Sequence, residues 1–420
     1  MVLGRVGTLA LVLVAGCSYD VAAERAAPPP KLPAGVLPLA PEGAADAELS
    51  AVGALVGNAQ VVGLGESTFR TAGFVRSKTQ IARWLVEKKG FRAIALETSF
   101  GQVEDTIRPF ALSCRGSAAV AALAYDDHWR SAEMRDFTQW LCDFNRAHPS
   151  DPVEVFGLVQ DDTEYEAGVL KSFMAAAGLG EPSFMGTAAT TSSCPTPADA
   201  TLAEGDYAAC RGGLESVHST LEKNEADLKA RLGEDRWVRA CTAVYALEQW
   251  QASVKLWNEK RETESWDVRE DGLYEVFKFY RARARGAKTI LWAHGYTVSA
   301  AHAEVERPRW ARTTLGTMLR RDLGAGYKAI GVLGHDVSTR APDAPEDHSV
   351  APDGSVEATL SRLARPGLVV DLARVDSKLF DPRATQTMGH PKPESVIPLH
   401  QLDGLVFIER SPAQTVLGGS

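Results

Sequence analysis

The sequence of 420 residues lacks the patterns that mark several common classes of protein. No basic stripe is interleaved with aromatic residues, so we expect no nucleic-acid-binding surface. No His-Glu-x-x-His or similarly spaced ligand set is present, so we expect no metal site and no cofactor. Beyond the first residues no stretch is apolar enough to cross a membrane, and no internal repeat is evident.

The nucleophile elbow Gly-x-Ser-x-Gly of many serine hydrolases is also incomplete. Gly65 and Ser67 fit its first half, but Phe69 stands where its last glycine belongs. Ser67 and Thr68 therefore fit better as caps of a following helix.

The first residues resemble an export signal rather than part of a fold. Arg5 precedes an apolar run at 6–14, which is too short to span a bilayer, and small residues lead directly to Cys17. This is typical of a bacterial lipobox, with cleavage before Cys17 and lipid attachment to it. The alternative is an ordinary signal peptide with a chance cysteine. Ser18 favours the outer membrane where the cell has one, so we expect an exported, lipid-anchored protein at the cell envelope.

The remaining chain divides into a tether and one domain. Residues 18–45 are rich in alanine, proline and glycine, which predicts an extended, flexible tether. Residues 46–420 are long enough for one large α/β domain. Oligomeric state is left open.

Five cysteines follow Cys17, and an exported protein can keep disulfides. Cys194 with Cys210 is the favoured pair, and Cys114 with Cys142 is a plausible one. Cys241, in a helical pattern, is expected to remain a buried thiol. Spacing alone does not decide the connectivity.

Short apolar runs alternate with helical periods along most of the chain, which predicts an α/β fold with a mostly parallel, possibly mixed, central sheet flanked by helices. The expected strands are 60–64, 92–96, 153–158, 289–293, 327–333, 368–372 and 405–408. From about 206 to 286 the pattern is helical, which predicts a subdomain of three long helices interrupted near Gly233 and Ser265. Its tryptophans suit helix packing, although they could also line an apolar pocket.

Ionisable side chains follow five of these strands. They are Glu66, Glu97, Asp161 with Asp162, His294, and His335 with Asp336. Ligands of open α/β sheets bind at the carboxyl ends of the strands, so these groups predict one polar site there.

An ordered series of motifs resembles the erythromycin esterase family. The series is VVGLGESTF at 61–69, RAIALE at 92–97, WRSAEMRDFTQWLCDFN at 129–145, ILWAHGYTV at 290–298, LGTMLRRDLGAGYKAIGVLG at 315–334, GSVEATL at 354–360 and DGLVFIERSP at 403–412. Together they cover residues 47 to 415 approximately.

The resemblance implies hydrolysis of a lactone or other ester, with macrolide resistance as the family's best-known outcome. It implies catalytic roles for Glu66, Glu97 and His294. Two family histidines are missing, since Phe69 and Thr297 stand in their places. A charged family position in the helix after the first motif falls near Lys78, with Arg76 close by. Family positions also predict Arg269, His128 and Glu133 as supporting residues, and a purely structural role is the alternative for His128 and Glu133.

The surviving residues suggest a water-activating mechanism. Glu66 and Glu97 are expected to end neighbouring strands, so they can share a proton, which splits their pKa values. His294 would orient the water or protonate the leaving alcohol. Arg70 would contact an oxyanion or pair with Glu66, and His335 is a candidate replacement for a missing histidine.

The loss of a general base commonly lowers a rate about 10²- to 10⁴-fold. A second hypothesis is therefore a degenerate lipoprotein that binds a small apolar ligand without cleaving it. Substitution of Glu66 by glutamine would abolish turnover only if the chain is an enzyme.

Overall fold

We analysed a computed structural model of the chain. It describes residues 30–160, 163–179, 204–301, 311–380 and 396–418. The signal segment, the lipid-attachment residue Cys17, most of the predicted tether, the strand-end residues Asp161 and Asp162, and Cys194 lie outside these ranges. Within them, every helix is too short or too polar to span a bilayer.

Nine strands and fifteen α-helices make up the described fold. The strands are β1 Val36–Pro38, β2 Val61–Glu66, β3 Ala93–Ser99, β4 Glu154–Val159, β5 Thr289–His294, β6 Tyr327–Thr339, β7 Asp347–Val350, β8 Gly367–Asp371 and β9 Gly404–Ser411. The helices are α1 Asp46–Val56, α2 Ala72–Lys89, α3 Phe100–Gln102, α4 Arg108–Ser113, α5 Ala118–Ala122, α6 Ala132–Ala147, α7 Thr163–Ala176, α8 Glu204–Lys223, α9 Glu225–Leu232, α10 Glu234–Asn258, α11 Glu262–Arg283, α12 Gly295–Val298, α13 Leu315–Leu323, α14 Val356–Ser361 and α15 Pro398–Gln401.

All nine strands belong to one sheet in the order β1-β8-β9-β6-β2-β5-β3-β4, with β7 paired to β6. The strands β9, β6, β2, β5, β3 and β4 are parallel. β1, β7 and β8 pair with their neighbours in antiparallel fashion. The predicted α/β fold with a mostly parallel, mixed sheet is confirmed.

Helices cover both faces of the central strands. In β2, Val61 packs into one core with the helical region, and Val62 packs into the opposite core with α2 and α6. Successive side chains of a strand point to opposite faces, and here both faces are apolar. The predicted strands are consequently continuous apolar runs, as buried parallel strands usually are.

The helical subdomain between β4 and β5 is confirmed, although its breaks differ from the prediction. α9 ends at Leu232, and Gly233 follows it with a φ of 90°, which favours glycine. The next break precedes α11 at Lys260, whose φ is 64°, rather than at Ser265. Ser265 lies inside α11 and bonds to Ser253 of α10, so its polarity serves a helix–helix contact instead of a turn.

The predicted tether extends too far toward the domain. β1 at Val36–Pro38 adds to the sheet edge on β8, and Val36 and Leu39 are buried. Three residues are too few to produce a recognisable apolar period, and β7 was missed for a similar reason. The last part of the supposed tether therefore belongs to the fold.

One predicted disulfide is present among the described residues. Cys114 and Cys142 are joined, with a Cα–Cα distance of 5.2 Å, and they connect α4 to α6. Cys241 is a free, buried thiol, as expected. The favoured pair of Cys194 and Cys210 remains a prediction, because Cys194 lies outside the described ranges.

Candidate active site at the strand ends

The carboxyl ends of β2, β5 and β3 bring the three predicted catalytic residues together. Glu66 is in register with His294 of β5, and Leu96 of β3 is in register with Trp292. The expectation that Glu66 and Glu97 end neighbouring strands is wrong, because β5 lies between β2 and β3. The chain passes from β2 through α2 to β3 and leaves a gap of one strand between them. β5, which comes after the helical subdomain in the sequence, fills this gap.

Close packing at this edge depends on a glycine. A Cβ at Gly65 would lie 2.8 Å from the Cα of Gly295, which is shorter than real Cβ contacts. The absence of both side chains lets the turn from β5 into α12 press against the end of β2. This contact places His294 beside Glu66.

Glu66 is 1% exposed, and two donors contact the same oxygen of its carboxylate. The indole Nε1 of Trp129 donates to Glu66 Oε1 over 2.7 Å, and Lys78 Nζ lies 3.3 Å from the same atom. Among the described residues, Oε2 has no hydrogen-bond partner. Burial raises the pKa of Glu66, while the Lys78 charge and the Trp129 hydrogen bond oppose that rise.

Lys78 is the cation that pairs with Glu66, and it is fully buried. Its ammonium also donates to the carbonyl of Ala293 over 3.3 Å and lies 4.6 Å from the ring centroid of Trp292. Burial lowers the pKa of Lys78 to about 8, against the opposing charges of Glu66 and Glu97. The family resemblance pointed to this position, but the chain's own pattern offered no sign of a buried ion pair.

Glu97 accepts three hydrogen bonds, and each of its oxygens has at least one donor. Its Oε1 accepts from Arg269 and from Thr297 Oγ1, each over 3.1 Å, and its Oε2 accepts from the backbone N–H of His294 over 2.7 Å. The hydroxyl of Thr297, a residue that the resemblance places at a histidine position, thus helps to fix the carboxylate. Glu97 holds the ends of β3 and β5 together and supplies negative charge to the site.

Arg269 brings the helical subdomain to the site. From α11 it contacts Glu97, and its Nη1 donates to Glu270 over 2.9 Å and to the hydroxyl of Tyr296 over 3.1 Å. Glu270 is buried, and burial raises its pKa to about 7. Trp266 of α11 meets Tyr296 edge to face, with 6.3 Å between the ring centroids. Among the subdomain's tryptophans, Trp266 therefore borders the site.

Phe69 lies between two imidazoles. Its ring centroid is 4.6 Å from that of His128 and 5.0 Å from that of His294, and it meets Trp129 edge to face. Phe69 and both histidines are partly exposed, unlike the buried carboxylates beneath them. The phenyl ring thus forms part of the solvent-facing wall of the site.

Both histidines accept hydrogen bonds at Nδ1. The backbone N–H of Tyr296 lies 3.3 Å from Nδ1 of His294, and Nη2 of Arg70 lies 3.5 Å from Nδ1 of His128. Burial and then the charge of Arg70 lower the pKa of His128. A neutral imidazole that accepts at Nδ1 carries its proton on Nε2, so each ring is a donor at that nitrogen.

Arg70 does not pair with Glu66. Its polar side-chain contact is His128, it makes no ion pair with the described residues, and its Nε is buried without a partner. Its φ of 68° is unusual for a residue with a side chain. Its backbone carbonyl accepts from Arg340 and Gln414, and these contacts hold the strained turn in place.

Two predicted supporting residues are engaged elsewhere. Glu133 accepts from Arg76 over 3.2 Å and from the backbone and hydroxyl of Thr415, so it fastens the C-terminal segment to α6. His335 lies 3.2 Å from Glu409 Oε1, on a stretch of β6 beyond the residue that pairs with Glu66. The structure gives no support to His335 as the replacement histidine.

Comparisons with known proteins agree with this architecture. The family described as erythromycin esterase matches residues 86–411, which is more than half of the chain. A protein from Bacillus cereus superposes with a TM-score of 0.73 at 17% identity, over 91% of this chain and 96% of its own. A succinoglycan biosynthesis protein gives the same values. A mutant of the erythromycin esterase EreC in its open conformation superposes with a TM-score of 0.72 at 16% identity, over 91% and 99% of the two chains. At these identities the superpositions establish a shared fold.

Proposed function

The chain belongs to the erythromycin esterase family, and from this membership we propose that it is a hydrolase that opens a lactone or cleaves another carboxylic ester with a water molecule activated by Glu66. The proposal rests on one observation above all. Trp129 and Lys78 both contact Oε1 of Glu66, which leaves Oε2 without a partner among the described residues.

Glu66 suits the role of a general base. Burial raises its pKa, which strengthens it as a proton acceptor, and the charge of Lys78 opposes that rise in favour of the ionised form. Glu97 is less suited, because each of its oxygens already accepts a hydrogen bond.

The reaction balances with these groups alone. A water molecule at Glu66 Oε2 gives up a proton to the carboxylate, and its oxygen bonds to the carbonyl carbon of the ester. Negative charge develops on the carbonyl oxygen. The bond between carbon and the alkoxy oxygen then breaks, and the leaving oxygen takes the proton from Glu66. His294, as a donor at Nε2, would stabilise one of the two oxygens.

A bulky, largely apolar substrate fits the wall of the site. Phe69, Tyr296 and Trp266 contribute aromatic surface, while Arg269 and the histidines contribute donors. A macrolide lactone combines these features, and we propose macrolides as the first substrates to test, with antibiotic resistance as the consequence. We also propose export and lipid attachment at Cys17, which would place the enzyme at the cell envelope.

The alternative is a protein that binds such a ligand without cleaving it. Phe69 favours this alternative. Its phenyl ring lies between His128 and His294, and a phenyl ring cannot transfer a proton.

The two functions separate in one experiment with the full chain. Purified protein would be incubated with erythromycin and with p-nitrophenyl esters, and products would be followed by mass spectrometry and absorbance. We expect addition of one water to the substrate, and a loss of at least about 10²-fold in kcat for Glu66→Gln. Glu104→Gln is the matched control, since Glu104 is also buried and pairs with Arg283 over 2.7 Å, away from the site. Unchanged substrates that nevertheless bind in calorimetry would establish the alternative.

A further inference from the structure

His128 lies at the site without a role in the mechanism above. It precedes Trp129, which donates to Glu66, and its ring packs at a tilt against Phe69, with 4.6 Å between the ring centroids. Through these two neighbouring side chains, the segment contacts both the proposed base and the partly exposed wall above it. A ring that served only to fill space would not need a hydrogen bond from a cation.

Arg70 fixes the tautomer of this histidine. A guanidinium has donors and no acceptor, so the contact over 3.5 Å requires the lone pair of His128 at Nδ1. The neighbouring positive charge also disfavours a second proton on the ring. The imidazole is thereby held neutral with its proton on Nε2.

We propose that Nε2–H of His128 donates a hydrogen bond to the oxyanion that forms from the ester carbonyl, and that Arg70 sets and supports this donor. The inference rests on the proposed function and adds to it a second donor, assigned to the carbonyl oxygen, which leaves His294 to the leaving oxygen. No proton leaves His128 in this step, so the balance of the reaction is unchanged.

Two features of the geometry support the assignment. The Arg70 guanidinium has no carboxylate partner among the described residues, so its charge is available to an anion beside His128. The ring of Phe69 lies between His128 and His294, at similar centroid distances from each. The two imidazoles therefore lie on opposite sides of the Phe69 ring in the wall of the site. An ester group held there could meet a donor on either side.

The test uses His128→Ala with chemical rescue. We expect kcat for ester hydrolysis to fall about 10²- to 10³-fold, as when one oxyanion donor is removed. Added imidazole should restore the rate in a saturable way, whereas 1-methylimidazole should not, because it fits a similar space but has no N–H. Rescue by both compounds, or by neither, would contradict a donor role.

His148→Ala is the matched control. His148 also packs against a phenylalanine, with 4.2 Å between its ring centroid and that of Phe144, at the far end of α6. We expect full activity from this variant. Full activity of His128→Ala, with Glu66→Gln inactive, would overturn the inference and leave the proposed function standing.

A second measurement is independent of turnover. Nitrogen-15 chemical shifts of the His128 ring in the full chain should show an unprotonated Nδ1 and a protonated Nε2 near neutral pH. The same spectrum of Arg70→Met should show a mixture of tautomers. A proton on Nδ1 in the unsubstituted protein would refute the assignment even if the protein hydrolyses no ester.

Discussion

Lys78→Met tests whether the buried ion pair holds the proposed base in its charged form. The substitution removes the ammonium that lies 3.3 Å from Glu66 Oε1 and keeps an unbranched side chain of similar length. Both partners are at most 1% exposed, so water cannot replace the lost charge. A carboxylate left alone in such a place takes up a proton instead of remaining charged.

Linkage gives the size of the effect. Holding a carboxyl protonated near pH 7 against its ordinary pKa of 4.5 costs at most about 3 kcal/mol. Since burial already raises the pKa of Glu66 in the unsubstituted protein, part of this cost is present before the substitution. We therefore expect the free energy of unfolding of Lys78→Met, relative to that of the unsubstituted protein, to fall by about 2–3 kcal/mol between acid and neutral pH.

The pH dependence has a definite sign. In the variant the folded state binds a proton that the unfolded state releases, so its stability relative to the unsubstituted protein falls as pH rises from acid to neutral. Below the ordinary pKa of a glutamate, Glu66 is protonated in both states, so its part of the difference should nearly vanish. The unsubstituted protein then buries an unpaired Lys78 charge, which should make Lys78→Met at least as stable as the unsubstituted protein. Urea unfolding followed by circular dichroism at several pH values measures this directly.

The double variant Lys78→Met with Glu66→Gln supplies the control. It buries neither charge, so it should recover most of the stability lost in Lys78→Met near pH 7. A loss that is the same at every pH, or one that the second substitution does not relieve, would mean that packing rather than charge explains the effect.

Two other predictions concern the hydrogen bond to the base and the disulfide. Trp129→Phe removes the donor 2.7 Å from Glu66, so the pKa of Glu66 should rise and the acid limb of the pH profile of kcat/KM should move to higher pH; an unmoved limb would exclude Glu66 as the titrating base. Replacement of Cys114 and Cys142 by serine opens a loop with a sequence separation of 28 residues, and should lower the free energy of unfolding by about 3–4 kcal/mol in urea titrations. No change in stability would mean that the bond is dispensable.

Most of the central sheet could be predicted from the sequence because its strands are buried on both faces. Such strands appear as short apolar runs separated by helical periods, and each expected run overlaps a strand that the structure contains. The edge strands β1 and β7 leave no comparable signal, since they have three and four residues. Their existence depends on pairing with partners that are distant in the chain.

The sequence allows some residues of the candidate site to be predicted, but not the strand order or the ion pairs that connect them. The strand-end rule found Glu66, Glu97 and His294, because carboxyl ends of parallel strands meet at one edge. Strand order was not visible, so the insertion of β5 between the two glutamates went unseen. The pairing of Lys78 with Glu66 depends on a side chain of α2 crossing the top of the sheet, which local sequence does not encode.

Single-turnover hydrolysis in oxygen-18 water tests the central claim most directly. If Glu66 activates water as a base, the acid product should carry one heavy oxygen, and peptides containing Glu66 should remain unlabelled. Heavy oxygen in the Glu66 carboxylate would instead indicate a covalent intermediate on that residue. Recovery of every ligand unlabelled and uncleaved would contradict hydrolysis altogether.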